Sequence, residues 1–450
     1  MRGCFRILFL FLLCVALIVA ALGYLWKIDL LPDPEEALDY LEELLDELDL
    51  LRDQAGSDTV LAPSQDSEEF PKYDLEQAVN PEVEEYLCKA YLEHCEVIDL
   101  SGFSISPKEL FAINSYLCIS HPELFFLSGS LNYSYSKGLV TEVRPEYRYD
   151  KATTEQMLVK YEAYIDEIAD GAPDGSELER LLYLHDYFLL NYTYDDTHTI
   201  RDAYTFFEQK TGVCQAYMLA LIAAADALGI ESIPVTSNEM RHSWNMVKLE
   251  GSWYHVDLTW DDVGTASTLV SYRYFLRSDA SIAAIDAQRE ERHRDWSCVE
   301  RAGSTVYDDA IWHGSVTPIL TLNGSFYCTV GEVSRSDKVV HSIYGGSDLL
   351  SMTRLTAINT VWPANESQQH VSCYATLIAV NGGILYNTSD TLRIYNPSTG
   401  TDRALKLSLW LGADMSVYGI VGLEPDGTLC YLVGPYDMSG GFVERYCTIP

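Results

Sequence analysis

Hydrophobic and polar positions fall into three regimes along the chain. The first is a single apolar run at residues 7–26, ILFLFLLCVALIVAALGYLW. It holds about 20 apolar positions, the length a helix needs to cross a bilayer. Arg2 and Arg6 precede it and Asp29, Asp33, Glu35 and Glu36 follow. This asymmetry predicts a cytoplasmic N-terminus with the rest of the chain exported. A cleaved signal peptide, processed at Ala21-Leu22-Gly23, is the competing reading, and the length of the run favours an uncleaved anchor. Next comes an acidic helix: Asp33 caps it, Pro34 suits its first turn, and Leu38, Leu41, Leu45 and Leu48 form a narrow stripe. From Asp53 to Pro71 the composition turns to Gly, Ser, Asp, Gln and Pro, a flexible linker.

The second regime is mixed. Ser106-Pro107-Lys108-Glu109 opens a helix running to about Ile119, and LNYSYS with LVTEVRPEY reads as a hairpin around Lys137-Gly138. Two capped helices follow, opened by Thr153-Thr154-Glu155-Gln156 and by Ser176-Glu177-Leu178-Glu179. The second of these carries His185, for which a core hydrogen bond is a better expectation than a ligand role. After Gly212 come Cys214, Ala216, Met218, Leu219, Leu221, Ile222, Ala223, Ala224, Ala225 and Leu228, a nearly all-apolar helix ended by Gly229. Such a helix belongs inside a core. Then His242–Leu249 and Trp253–Leu258 form two β-rich runs joined by Glu250-Gly251, a hairpin turn pair. With Leu249 opposite Ser252, His242 faces Thr259, and Asp257 lies on the same side of the sheet as His242. Residues 281–296 read as a charged helix closing this part.

The third regime begins near Ile311. Short β-rich runs alternate with Asn323-Gly324, Asn381-Gly382, Pro397-Ser398-Thr399-Gly400 and Asp426-Gly427, predicting an all-β domain of about three meanders, propeller-like or a sandwich. The expected organisation is thus 1–27, a transmembrane anchor; 28–71, the acidic helix and linker; 72–150, an α+β lead-in; 151–300, a catalytic domain; and 301–450, the all-β domain.

Charge narrows the functions open to such a chain. Thirty basic residues against 67 acidic ones give a net charge of −37, which excludes a nucleic-acid binder held by phosphate contacts. No phosphate-cradling glycine loop, CxxC or HExxH signature and no calcium-loop spacing is present, so neither cofactor nor metal is expected. Of eleven cysteines, Cys4 and Cys14 fall at the membrane segment. Cys88, Cys95, Cys118, Cys298, Cys328, Cys373, Cys430 and Cys447 form an even set, compatible with disulfides in an exported protein or with buried thiols.

Cys214 remains, and it sits in the first turn of its helix, where unpaired N–H groups and the positive dipole end favour a thiolate. His242 and Asp257 on the following hairpin complete the parts of a thiol nucleophile system: attacking sulfur, proton carrier and orienting carboxylate. Trp244 and Trp253 share their face and are candidate walls. The Cys214 backbone N–H, Tyr204 and Gln209 are candidate oxyanion donors.

GVCQAY followed by HSWNMVKLEGSWYHVDLTWDD resembles the transglutaminase-like superfamily in its small bacterial-type form. LHDYFLLNYTYD and DAYTFFEQKTGVC resemble its usual upstream helix and lead-in. The likeness covers about residues 178–275. It implies an α+β, papain-like core in which a buried Cys-bearing helix packs on an antiparallel sheet. It also implies catalysis by Cys214, His242 and Asp257 on amide bonds: acyl transfer, proteolysis or deamidation. The expected partners are a protein or peptide substrate, cell-wall peptide included, and the membrane through the N-terminal helix. The rival expectation is a catalytically silent surface adaptor, since some members of the superfamily have lost their catalytic residues.

Overall fold

The computed structural model describes residues 55–60, 80–264, 268–285, 287–288, 292–315, 317–333, 339–360, 362, 373–381, 383–405, 409, 411, 414–435 and 441–449. The apolar run at 7–26 and the acidic helix after it lie outside them, as does the expected flexible linker at 53–71 apart from Ala55–Val60, which form a strand instead, because sheet pairing overrides their linker-like composition. Among the described residues, no helix is long and apolar enough to cross a membrane.

Two compact units are present. Of the described residues, the smaller gathers 55–59, 97–110 and 132–144. In it Ile98–Asp99 pairs antiparallel with Glu142 and Val143, and Lys137 and Gly138 both take positive φ in the tight turn the sequence predicts. The larger unit holds residues 60–96, 111–131 and 145–450 and contains everything that positions the candidate site.

Its centre is the helix Cys214–Ala227, in which residues 214–225 are all buried. An antiparallel sheet lies against it in the order Phe275–Arg277, Ser252–Val256, His242–Leu249, Ser232–Ser237. Leu249 pairs with Ser252 and Asn245 with Val256, the register expected from the two-residue turn. Glu250 and Gly251 carry φ of 49° and 80°, as that turn requires. The Asn245 amide reaches across to the Met218 carbonyl at 3.0 Å and to Ser232 Oγ at 3.2 Å, tying sheet to helix by a buried polar contact.

Four expectations shift. The strand at Trp253 stops at Val256, because the Asp257 side chain accepts from Trp260 N and starts the short helix Leu258–Asp261. Thr259 therefore lies in that helix and is not a strand partner of His242, whose paired neighbour is Ser237. The charged helix expected over residues 281–296 is only Asp279–Ala284, and beyond it the chain runs irregularly through Arg292 to Trp296. The helix preceding the Ser176 capping box also begins earlier than its Thr-Thr-Glu-Gln signal. It spans Lys151–Asp170, with Asp150 as the cap. Trp253 sits beneath Lys248, 5.4 Å from its ammonium, at the end of the sheet away from His242, and so does not wall the site.

His185 is a core residue, as expected. Its ring contacts Asp186 at 2.9 Å and Asp261 at 3.4 Å and stacks on Tyr272. Tyr272 in turn joins this core to the β-rich part. Its hydroxyl donates to Asp186 at 2.6 Å and accepts from Ile319 N at 2.9 Å.

From Leu320 onwards the chain forms three antiparallel meanders in sequence. Two have four strands, spanning Leu320–Ile358 and Leu377–Ala404, and one has three, spanning Met415–Thr448. Asn323-Gly324, Gly400 and Gly427 occupy the turns with positive φ, where the turn signals placed them. Trp362 Nε1 donates to the Val417 carbonyl at 2.7 Å, tying the segment after the first meander to the third. The nine described cysteines are all free thiols, with Cys214, Cys298, Cys328 and Cys373 buried and the other five partly buried.

Gly212 immediately precedes the Cys214 helix, and a methyl group there would lie 2.6 Å from the Phe206 ring and 2.7 Å from Ala216 Cβ. Both neighbours are fully buried and cannot swing aside. Gly212→Ala is expected to destabilise the protein by about 1–3 kcal/mol through overpacking, measured as a lowered urea midpoint with the slope unchanged.

Candidate active site

Cys214 enters the site as the first residue of its helix. Val213 before it provides no side-chain cap, so no side chain takes up the N–H donors of the first turn there. His242 opens its strand, and Asp257 stands where the next strand gives way to a helix. The structure brings these three residues together. His242 Nε2 lies 2.7 Å from Asp257 Oδ2, and the imidazole is near enough to Cys214 to lower its thiol. With Nε2 committed to the carboxylate, Nδ1 is the nitrogen left for the sulfur.

Burial grades through the relay. Asp257 is fully sealed, whereas Cys214 and His242 keep 7% and 6% of their surfaces exposed, so the reacting atoms meet solvent at an edge while the carboxylate does not. A desolvated carboxylate must be hydrogen-bonded to remain charged. Asp257 Oδ1 accepts from Trp260 N at 3.0 Å, and Oδ2 accepts from His242 and from His293 Nε2 at 2.8 Å.

His293 is the residue that sequence reasoning missed. It is fully buried within a stretch read as a surface helix, and its Nδ1 finds no hydrogen-bond partner among the described residues. Its only sequence signal is a histidine beside Trp296 in an otherwise charged run. Trp260 packs on it at 4.2 Å and Trp244 at 4.8 Å. The same two indoles also stack on His242, at 5.3 and 5.5 Å with interplanar angles of 27° and 21°. Aromatic faces over an imidazole favour its cationic form. Trp244 is itself fixed by donating from Nε1 to His255 Nδ1 at 3.0 Å, and His255 Nε2 meets Asp279 at 2.9 Å.

The electrostatics follow from these contacts. Burial pushes the Cys214 thiol up, but the His242 hydrogen bond and charge, with the Ser243 backbone, outweigh it and leave the thiol below its ordinary value. Burial opposes a charged His242, yet the Asp257 charge and hydrogen bond and the Cys214 contact raise it to about 10. Desolvation likewise works against Asp257, and His242 and His293 hold it well below the usual carboxylate range. For His293 burial prevails and its titration falls below the ordinary value, so the neutral ring donates through Nε2–H. These shifts all favour the thiolate–imidazolium pair over thiol and neutral imidazole, beside a charged carboxylate and steadied by a second imidazole.

Among the oxyanion candidates, the Tyr204 hydroxyl is engaged by Glu208 at 3.3 Å and Gln209 is exposed, whereas the Cys214 N–H lies at the uncapped helix start. Tyr194, half-buried on the short strand before the Cys214 helix, is close enough to be influenced by the Cys214 charge. Burial and that charge keep its phenol protonated as a donor. His242, Asp257 and His293 also carry a metal-compatible atom set, in which both imidazoles are already committed to hydrogen bonds with the Asp257 carboxylate.

Residues 162–258 match the family model of the transglutaminase-like superfamily, a span that contains Cys214, His242 and Asp257. The chain therefore carries a transglutaminase-like domain. Similar solved structures include a TGase, at 14% identity and TM-score 0.21, covering 29% of this chain and 44% of the other. A proposed cysteine protease of Cytophaga hutchinsonii follows at 14% identity and TM-score 0.19, covering 28% and 56%. A third is Zg3597, a family 117 glycoside hydrolase of Zobellia galactanivorans, at 15% identity and TM-score 0.20, covering 35% and 50%. This chain thus spans about half the length of each. A search of the curated proteins returned no match.

Two measurements test the electrostatics. Because the Cys214 shift is downward, alkylation by iodoacetamide should already be fast at pH values below the ordinary thiol range. In His242→Ala the lowering contacts vanish and burial remains, so the alkylation profile should move above that range. His293→Leu removes one hydrogen bond to a buried charge, worth about 1.5–3 kcal/mol. It is expected to slow Cys214 alkylation at neutral pH by about tenfold or more, with His293→Gln recovering part of the loss.

Proposed function

We propose that the protein is a cysteine hydrolase or acyltransferase that works on amide bonds of peptides or proteins through a thioester on Cys214. The observation that carries this reading is His242, held to the Asp257 carboxylate at 2.7 Å with two indoles stacked on its ring, beside a Cys214 thiol that it lowers. A thiolate beside an imidazolium is a nucleophile and a proton source held in one place.

In the proposed reaction the Cys214 thiolate attacks the substrate carbonyl carbon and forms the C–S bond. The oxyanion that develops is met by backbone N–H groups at the uncapped helix start, with Tyr194 as a further donor. The C–N bond then breaks as the His242 cation gives its proton to the departing amine. Neutral His242 next draws a proton from water, whose oxygen attacks the thioester. The acid product leaves, and the thiolate–imidazolium pair is restored. Asp257 keeps its charge throughout and orients the ring. An amine in place of water would give transfer. Nothing in the sequence marks an amine pocket, so hydrolysis is the preferred outcome.

The apolar run at 7–26 supports placing this activity at the outer face of a membrane, anchored by one helix, with exported protein or cell-wall peptide as substrate.

A peptide bearing a thiol-reactive acyl mimic, incubated with the full chain at neutral pH, should label Cys214 selectively. Labelling should vanish in Cys214→Ala and slow by about 10²–10⁴-fold in His242→Ala, the range for loss of a general acid–base. Labelling of Cys214 no faster than of the other thiols, and indifferent to His242, would instead favour the catalytically silent adaptor.

A further inference from the structure

Within the larger unit, away from the residues of the Cys214 relay, a second thiol, imidazole and carboxylate converge. Cys88 lies on the helix Pro81–Leu92, while His121 and Glu123 lie at and within the single 3-10 turn Pro122–Leu124. His121 Nδ1 is 2.8 Å from Glu123 Oε1 and 3.6 Å from Cys88 Sγ, and the sulfur is 4.0 Å from the same carboxylate oxygen. Three potential ligand atoms from two separate elements thus face a common point.

A proton accounts for only part of this arrangement. One Nδ1–H satisfies Glu123 at 2.8 Å, which leaves the sulfur with two contacts at the long limit of a hydrogen bond. A tetrahedral zinc ion accounts for all of it. Zn–S of about 2.3 Å and Zn–N and Zn–O of about 2.0–2.1 Å place ligand atoms roughly 3.3–3.6 Å apart. The sulfur–nitrogen separation already matches. The nitrogen–oxygen pair would open, and the sulfur–oxygen pair close, by about half an ångström, within the reach of rotamer adjustment for Glu123.

We propose that Cys88 Sγ, His121 Nδ1 and Glu123 Oε1 bind a divalent cation of the zinc class, which clamps the Pro81–Leu92 helix to the turn that follows His121. The donor set selects the metal: a thiolate with an imidazole suits zinc or cobalt and disfavours calcium and magnesium. Binding releases the Cys88 thiol proton and the proton shared by His121 and Glu123. A cavity of about 530 Å³ lined by Glu84, Glu85, Cys88 and His121 opens onto the cluster and gives the ion access. Glu84 lies one helical turn before Cys88, on the same face, so it or water can take the fourth position. The clamp bears on the Cys214 region through packing. Phe125, just past the turn, stacks on Tyr204 at 4.9 Å and meets Tyr161 at a tilt at 5.6 Å, and Tyr204 belongs to the helix Ala203–Gln209 that leads to Cys214. The inferred role is structural, so the site is independent of whether Cys214 is catalytic.

Cobalt(II) titrated into the full chain carrying Cys214→Ala is the direct test, since that background removes the reactive thiol. The expected result is one bound ion per chain with a thiolate-to-cobalt charge-transfer band and a tetrahedral visible spectrum. Cys88→Ser should abolish the band. Glu123→Gln should retain it but weaken binding by about tenfold or more, and this milder variant, checked for fold by circular dichroism, guards against misreading an unfolded Cys88→Ser protein. No thiolate band in the Cys214→Ala protein, a band surviving Cys88→Ser, or affinity unchanged in Glu123→Gln would each overturn the assignment.

Discussion

The carboxylate of Asp257 has to stay charged in a place that water does not reach, and much of the site's construction serves that requirement. Moving an ionised carboxylate out of water costs several kcal/mol even after relaxation, and removing one partner of a buried charge costs about 3–5 kcal/mol. The protein surrounds Asp257 with three donors from three parts of the chain: a strand residue, a helix backbone N–H and an imidazole from the irregular segment beyond the sheet. The acceptor capacity of the group is taken up by its neighbours, and the ring of His242 is held by the charge.

That requirement explains why the second strand of the hairpin ends where it does. Asp257 closes the strand and caps the next helix with the same side chain, using one oxygen for each task. A continued strand would have left Oδ1 without the Trp260 N–H and would have carried Trp260 away from the imidazole. Likewise the irregular run through His293 exchanges helical hydrogen bonds for burial of one ring between two indoles and a donor to Asp257. Local propensity yields to tertiary contacts here because a buried charge outweighs a few exposed helical positions.

Away from the site the same logic operates with weaker forces. Asn245 spans helix and sheet, and the Tyr272 hydroxyl spans the α/β core and the first meander, each a polar group satisfied on both sides of a junction. Such contacts fix one arrangement among many that hydrophobic packing alone would permit.

The sequence by itself determined the parts governed by local chemistry. The Glu250-Gly251 turn set the hairpin register, since only two positive-φ residues lie between the strands. The all-apolar pattern after Gly212 required a buried helix, and the Asn-Gly and Asp-Gly turns spaced out the meanders. Cys214, His242 and Asp257 were legible because their order and frame are local features. Tertiary structure alone decided the rest. His293 reaches Asp257 across 36 residues of sequence, and Cys88 meets His121 across 33, separations over which no periodicity carries information. The length of the Asp257 strand and the non-helical course after Ala284 were likewise set by where a desolvated charge finds its donors, a quantity that exists only once the chain has folded.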